Sequence, residues 1–117
     1  MSLLSYTYSR AADNHVSVNL TWRADVEMDN DYTVFVHLLD AQGRLLAQSD
    51  AQPRQGSYPT HAWSKGEQVM DSHDITAERA TLNAVDHLEI GLYTLADGKR
   101  LPNALGGDSI ILKVVNP

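Results

Sequence analysis

The chain contains no cysteine. Disulfides, thiolate catalysis and cysteine-based zinc sites are excluded, and stability has to come from packing alone. Basic residues are scarce as well: nine Lys and Arg stand against fifteen Asp and Glu, for a net charge of −6. Those nine are scattered along the chain, so the clustered cations of a sequence-independent grip on nucleic acid are missing, and no nucleic-acid partner is expected. An acidic surface is also a plain solubility device. No apolar run approaches the roughly 18 residues of a membrane span, and the beginning of the chain lacks the basic segment and apolar stretch of a signal peptide. The domain itself is therefore not expected to insert into a membrane, although it reads equally well as a piece excised from a longer membrane protein.

What is present points to one folded unit. A hydrophobic fraction of 43% and a charged fraction of 21% are ordinary for a globular chain. Residues 1–117 leave room for one domain with one core. The pattern is organised around Asp31–Asp50, which reads as two antiparallel strands joined by the tight turn Ala41-Gln42-Gly43. In the first of these strands Tyr32, Val34, Val36 and Leu38 alternate with Thr33, Phe35, His37 and Leu39, so both faces are at least half apolar. That is the signature of a central strand covered on both sides, and the covering layer is expected from other strands, since no other window holds a convincing helical period.

Around this pair the period of two recurs. Leu3–Ser9 sets Leu4, Tyr6 and Tyr8 against Leu3, Ser5 and Thr7. His15–Ala24 sets Val16, Val18, Leu20, Trp22 and Ala24 against Ser17, Asn19, Thr21 and Arg23, a strand with one wet side and a firmly set register. Ala51–Gly66, with two prolines and two glycines, reads as a long loop. Glu67–Thr76 returns as a strand with Val69 and Ile75 on one side and Met70 on the other, polar enough for a sheet edge. Ala77–Val85 suits a crossing connection with about one helical turn. Asp86–Leu95 follows with Leu88, Ile90 and Leu92 facing in and Gly91 marking a bulge or a close approach. An Asp97-Gly98 hairpin turn and the approach Arg100–Gly107 then lead to a last strand over Ser109–Val115. Seven to eight mostly antiparallel strands with no dominant helix predict an all-β sandwich, of either immunoglobulin-like or jelly-roll connection.

The ordered run Leu20-Thr-Trp22-Arg-Ala24, Asp31 through Asp40, the Gly43 turn, Gly56-Ser-Tyr58-Pro59-Thr60, Trp63, Gly66-Glu67, Val69-Met70-Asp71 and Gly91-Leu92-Tyr93 resembles a β-sandwich domain of bacterial proteins. That domain is often attached after the last membrane helix of multi-pass glycosyltransferases like the dolichyl-phosphate-mannose protein mannosyltransferases. Where the family carries a proline-rich segment ending in Gly-x-Tyr, this chain has Thr81-Leu-Asn-Ala84-Val-Asp86. The resemblance implies a non-catalytic accessory domain on the outer side of a cytoplasmic membrane, partnered by carbohydrate or by another envelope protein. The competing expectation is a purely structural or oligomerisation module. Neither requires a cofactor.

Candidate chemistry is thin. Asp71 and His73, two apart on one strand face, would need a third metal ligand from His37, Asp40 or Asp50, and the simpler reading is a polar face in water. Asp25, Glu27, Asp29 and Asp31 are the set a loop-held calcium would prefer, with solvation again the simpler account. Ser57, His61 and Asp50 could be assembled into a hydrolytic trio on paper, but Ser57 lies in no strand–turn–helix elbow. No metal site and no enzymatic activity are expected. Trp22, on the apolar face of its strand, is core. Trp63, in a polar loop beside Tyr58, has two readings: a ring folded back to plug the open end of the sandwich, or part of a sugar-stacking platform. Tyr58, His61 and Trp63 form the candidate ligand-binding surface.

Overall fold

The structure is a computed structural model and describes residues 1–102 and 107–114. Seven strands form two antiparallel sheets packed face to face. One holds β1 (Ser2–Ala12), β2 (His15–Arg23) and β5 (Gln68–Thr76) in the order β1-β2-β5. The other holds β3 (Thr33–Leu39), β4 (Leu45–Ala51), β6 (His87–Tyr93) and β7 (Ile110–Lys113) in the order β4-β3-β6-β7. Pairing β2 with β5 and β3 with β6 is the connectivity of the immunoglobulin-like sandwich, which settles the choice against a jelly roll. Among the described residues one α-helix is present, α1 (Arg79–Asn83), about one turn long and placed in the crossing from β5 to β6. The expected passage through Leu105 and Gly106 and the strand end at Val115 lie outside the described residues.

Alternation places the core. From β2, Val16, Val18, Leu20 and Trp22 are buried against Val34, Val36 and Leu38 of β3 and Leu88, Ile90 and Leu92 of β6. The outward residues of β2 remain wet or half-wet, as the register predicts. In β1 the expected inward set is corrected by a bulge between Leu3 and Ser5. The extra residue swings Leu4 to solvent, and Leu3 joins Tyr6 and Tyr8 against the core. β5 is an edge strand, as its polarity suggested, with Val69 and Ile75 buried and Met70 exposed.

The inner face of β3 is covered by the opposite sheet. Its outer face is buried too, with Thr33, Phe35 and Leu39 all closed off, and among the described residues no third layer lies there. Side chains of the same sheet and of the turn after β6 do the covering. The second layer expected from other strands is the opposite sheet.

The loop from 52 to 67 is held by its own hydrogen bonds. The Thr60 hydroxyl donates to the Asn30 carbonyl at 2.6 Å and accepts from the Tyr32 N–H at 3.0 Å. Tyr58 donates to the Glu67 carboxylate at 2.6 Å, and the same carboxylate accepts the Ser64 N–H. Trp63 donates its indole N–H to the Tyr58 carbonyl at 2.9 Å and stacks on the Tyr58 ring. With 2% of its surface exposed, Trp63 belongs to the same core cluster as Trp22. Replacing either tryptophan by alanine should therefore cost about 3–5 kcal/mol in chemical denaturation. A Trp63→Ala loss within about 0.5 kcal/mol, the range of surface substitutions, would contradict this placement.

Candidate functional site

The surface expected from Tyr58, His61 and Trp63 does not form. Trp63 is closed off, Tyr58 is half-buried with its hydroxyl committed to Glu67, and only His61 is exposed, paired with Asp31. The hydrogen bond to Glu67, aided by burial, raises the Tyr58 phenol above its ordinary pKa, and the same bond lowers the Glu67 carboxyl. His61 likewise holds the Asp31 carboxyl below the usual range. These are loop-locking contacts, and an indole inside the core offers no ring face to a sugar.

The other paper constellations disperse as well. Ser57 bonds the Arg54 carbonyl, His61 pairs with Asp31, and Asp50 bonds Tyr93, so the hydrolytic trio is not assembled. Asp25 is engaged by Ser2 and Arg23, away from Asp31. Among the described residues no group of three or more His, Asp or Glu is placed to hold a metal.

Asp71 and His73 are not on a face in water: they point into the sandwich, with side chains 0% and 1% exposed. His73 Nε2 lies 2.6 Å from Asp71 Oδ2, and His73 Nδ1 lies 3.3 Å from the Ser49 hydroxyl on β4. The other carboxylate oxygen of Asp71 accepts the Arg54 N–H at 2.7 Å. That bond pins a corner where Arg54 and Gln55 both take left-handed backbone conformations, with φ of 54° and 59°. Two such non-glycine residues in succession are disfavoured, and they persist where surrounding contacts impose them. The Ser49–His73–Asp71 sequence has the order of a hydrolytic relay, but its base and acid are sealed from solvent. Its legible role is to join the edges of the two sheets and fix the chain between them.

An open depression with aromatic and charged lining lies on the outer face of the four-stranded sheet. Register sets Asp50 beside Phe35 and Phe35 beside Gly91, with His37 and Glu89 paired in the next outward row. Phe35 lies flat over Gly91 because nothing else fits: a Cβ at position 91 would come 2.5 Å from the ring. This is the cross-strand rescue of a glycine by an aromatic ring. The Arg100 guanidinium, brought over by the turn after β6, stacks 4.6 Å above the Phe35 centroid, and the ring ends up 2% exposed. Together Phe35, His37, Asp50, Tyr93, Gly98 and Arg100 line a depression of about 220 Å³.

Its polar groups are held in place before any ligand arrives. Tyr93 donates its hydroxyl to Asp50 Oδ2 at 2.9 Å. Burial first, and then that bond, push the phenol above its ordinary pKa, so it stays a donor at neutral pH. His37 sits between two carboxylates, 3.6 Å from Glu89 and 4.0 Å from Asp50. Arg100 lies 3.8 Å from Glu89 and 3.5 Å from Asp108. Ser109 bonds Glu89 at 2.8 Å.

Sequence reasoning named His37 as a third metal ligand and Asp50 as a third metal ligand or a member of the hydrolytic trio, and it placed neither Tyr93 nor Arg100 in a site. The available signal was the outward set of β3, an aromatic and a histidine on a face that a two-layer fold leaves uncovered. Gly91 stood at the same level on the neighbouring strand. No protein-family model, curated protein or solved structure matches the chain.

Two outcomes check this construction. Gly91→Ala should destabilise by about 1–3 kcal/mol through overpacking, and the loss should largely vanish in a Phe35→Ala background when the pair is measured as a double-mutant cycle. Asp71→Ala should leave the Arg54 N–H and the His73 ring nitrogen unpaired, at about 1–3 kcal/mol for each buried group, and should speed hydrogen exchange at the Arg54 amide.

Proposed function

We propose that this chain is a non-catalytic accessory domain that binds a glycan at the bacterial cell envelope, through the depression on the outer face of the β4-β3-β6-β7 sheet. The observation that carries the reading is the Tyr93–Asp50–Arg100 arrangement: the half-buried Tyr93 ring beside fixed donors and acceptors, in a hollow that no element among the described residues fills. Sugars present apolar ring faces and a rim of hydroxyls, so they need apolar contact and polar partners side by side. A depression of about 220 Å³ is below the roughly 300–1,000 Å³ of drug-sized pockets and suits one sugar unit of a longer chain. The likeness of the sequence to accessory domains of membrane glycosyltransferases supports the envelope setting. The Ser49–His73–Asp71 sequence is sealed inside the sandwich, where its histidine cannot meet a substrate, and it takes no part in this reading.

The test is an NMR titration of the isotope-labelled domain with a panel of envelope oligosaccharides. Saturable shifts should centre on His37, Tyr93 and Arg100, while the indole N–H signals of Trp22 and Trp63 stay still. Tyr93→Ala should weaken binding at least tenfold, about 1.4 kcal/mol, and His61→Ala should leave it unchanged. Absence of a saturable shift with every saccharide would overturn the reading in favour of a structural or assembly module.

A further inference from the structure

Charge in the depression narrows the ligand further. Asp50 and Arg100 line the depression, the Arg100 guanidinium is answered by Glu89 at 3.8 Å and Asp108 at 3.5 Å, and His37 beside Asp50 adds positive charge only when protonated. Lys99, the next cation along the chain, donates its backbone N–H to Asp97 within the turn. The Arg100 guanidinium already has partners: its face is stacked on Phe35 and its Nη1 lies between two carboxylates. Asp50 is answered differently. Its Oδ2 accepts the Tyr93 hydroxyl, while the cation nearest Oδ1 is His37 at 4.0 Å, beyond hydrogen-bonding distance. With its side chain 31% exposed, Asp50 offers an acceptor toward the hollow.

We propose that the depression takes a sugar unit carrying a free amino group, whose ammonium hydrogen-bonds Asp50 Oδ1, and that it rejects units bearing uronate or phosphate. This rests on the glycan-binding reading above and adds the chemical class. An ammonium supplies the cation that Asp50 lacks, through a charge-assisted hydrogen bond. A uronate or phosphate would enter beside Asp50, where the one guanidinium is already answered by Glu89 and Asp108, and like-charge juxtaposition of this kind is how sites exclude wrong partners. The Tyr93 phenol, with its hydroxyl oriented by Asp50, leaves its ring for the apolar face of the same unit.

The experiment compares three tetrasaccharides against the whole chain by calorimetry and NMR: glucosamine in its ammonium form, its N-acetylated counterpart, and galacturonate. The glucosamine oligomer should bind at least tenfold tighter than the N-acetylated one, and galacturonate should show no saturable binding. Asp50→Asn, which keeps an acceptor for Tyr93, should abolish the preference for the amine while the still indole signals report an intact fold. Galacturonate binding as tightly as glucosamine would overturn the assigned class and leave glycan binding standing. Failure of all three, together with failure of every other saccharide, would overturn both. A lysine-rich peptide shifting His37 and Tyr93 where no sugar does would make the partner a protein and overturn the sugar assignment. An amine preference that survives Asp50→Asn would remove Asp50 from the site.

Discussion

β3 is hydrogen-bonded on both sides and buried on both faces, in a fold that supplies only one covering layer. The inner residues Val34, Val36 and Leu38 meet the opposite sheet, but Phe35 and Leu39 project where solvent would otherwise be. Leaving a large aromatic ring wet forfeits much of the roughly 1.5–3 kcal/mol that burial of such a side chain yields. The sheet therefore provides a cover from within itself. Gly91 lowers the floor beneath the ring, Arg100 roofs it, and Tyr93 and His37 flank it. The depression is what remains between those pieces. A site made in this way stands on strand backbone and on side chains locked by packing.

The connection between the sheets obeys a different constraint. A chain of this length leaving β4 and entering β5 must satisfy its backbone groups without a ladder partner, and side chains do so at each turn. Thr60 serves Asn30 and Tyr32, Glu67 serves Ser64 while receiving Tyr58, and Asp71 serves Arg54. Trp63 then closes the open end of the sandwich from above. The motif Tyr58-Pro59-Thr60 followed by Trp63 and Glu67 is in this light a clasp, with hydroxyl, indole and carboxylate each spent on a structural bond. Groups so engaged have little left for a ligand.

Much of this was legible in the sequence, and the limits have physical causes. Period-two alternation located the strands of both sheets and the inward sets of β2 and β6, because a one-residue slip would reverse faces in a sandwich with a single core. Edge status of β5 followed from its polarity. Four things were hidden. The β1 bulge shifts the inward set through one extra residue at Leu4, and the adjacent pair Leu3-Leu4 reads equally well in either register. Asp71 and His73 look like wet residues because each is polar, whereas mutual pairing and the Arg54 N–H make their burial tolerable. Trp63 could face either way, since what decides it is the Tyr58 carbonyl waiting for the indole N–H, a contact set by loop conformation and not by period. The outer-face depression needs the register of three strands and a turn at once, so no single window of sequence contains it.

The same construction bears on how the proposed site would behave. Tyr93 and Asp50 already hold each other, and Phe35 and Arg100 are already stacked, so little ordering remains to be done when a ligand arrives. That removes one cost of binding. It also caps the gain, because a ligand hydroxyl that displaced Tyr93 from Asp50 would only exchange one hydrogen bond for another. New energy has to come from the acceptor left over, Asp50 Oδ1, and from the exposed part of the Tyr93 ring. A single small hollow of this kind gives selectivity by charge and shape more readily than it gives tight binding. Affinity for a glycan would then rise mainly by engaging several units at once, which is the arrangement expected of a domain that positions a polymer beside a larger partner.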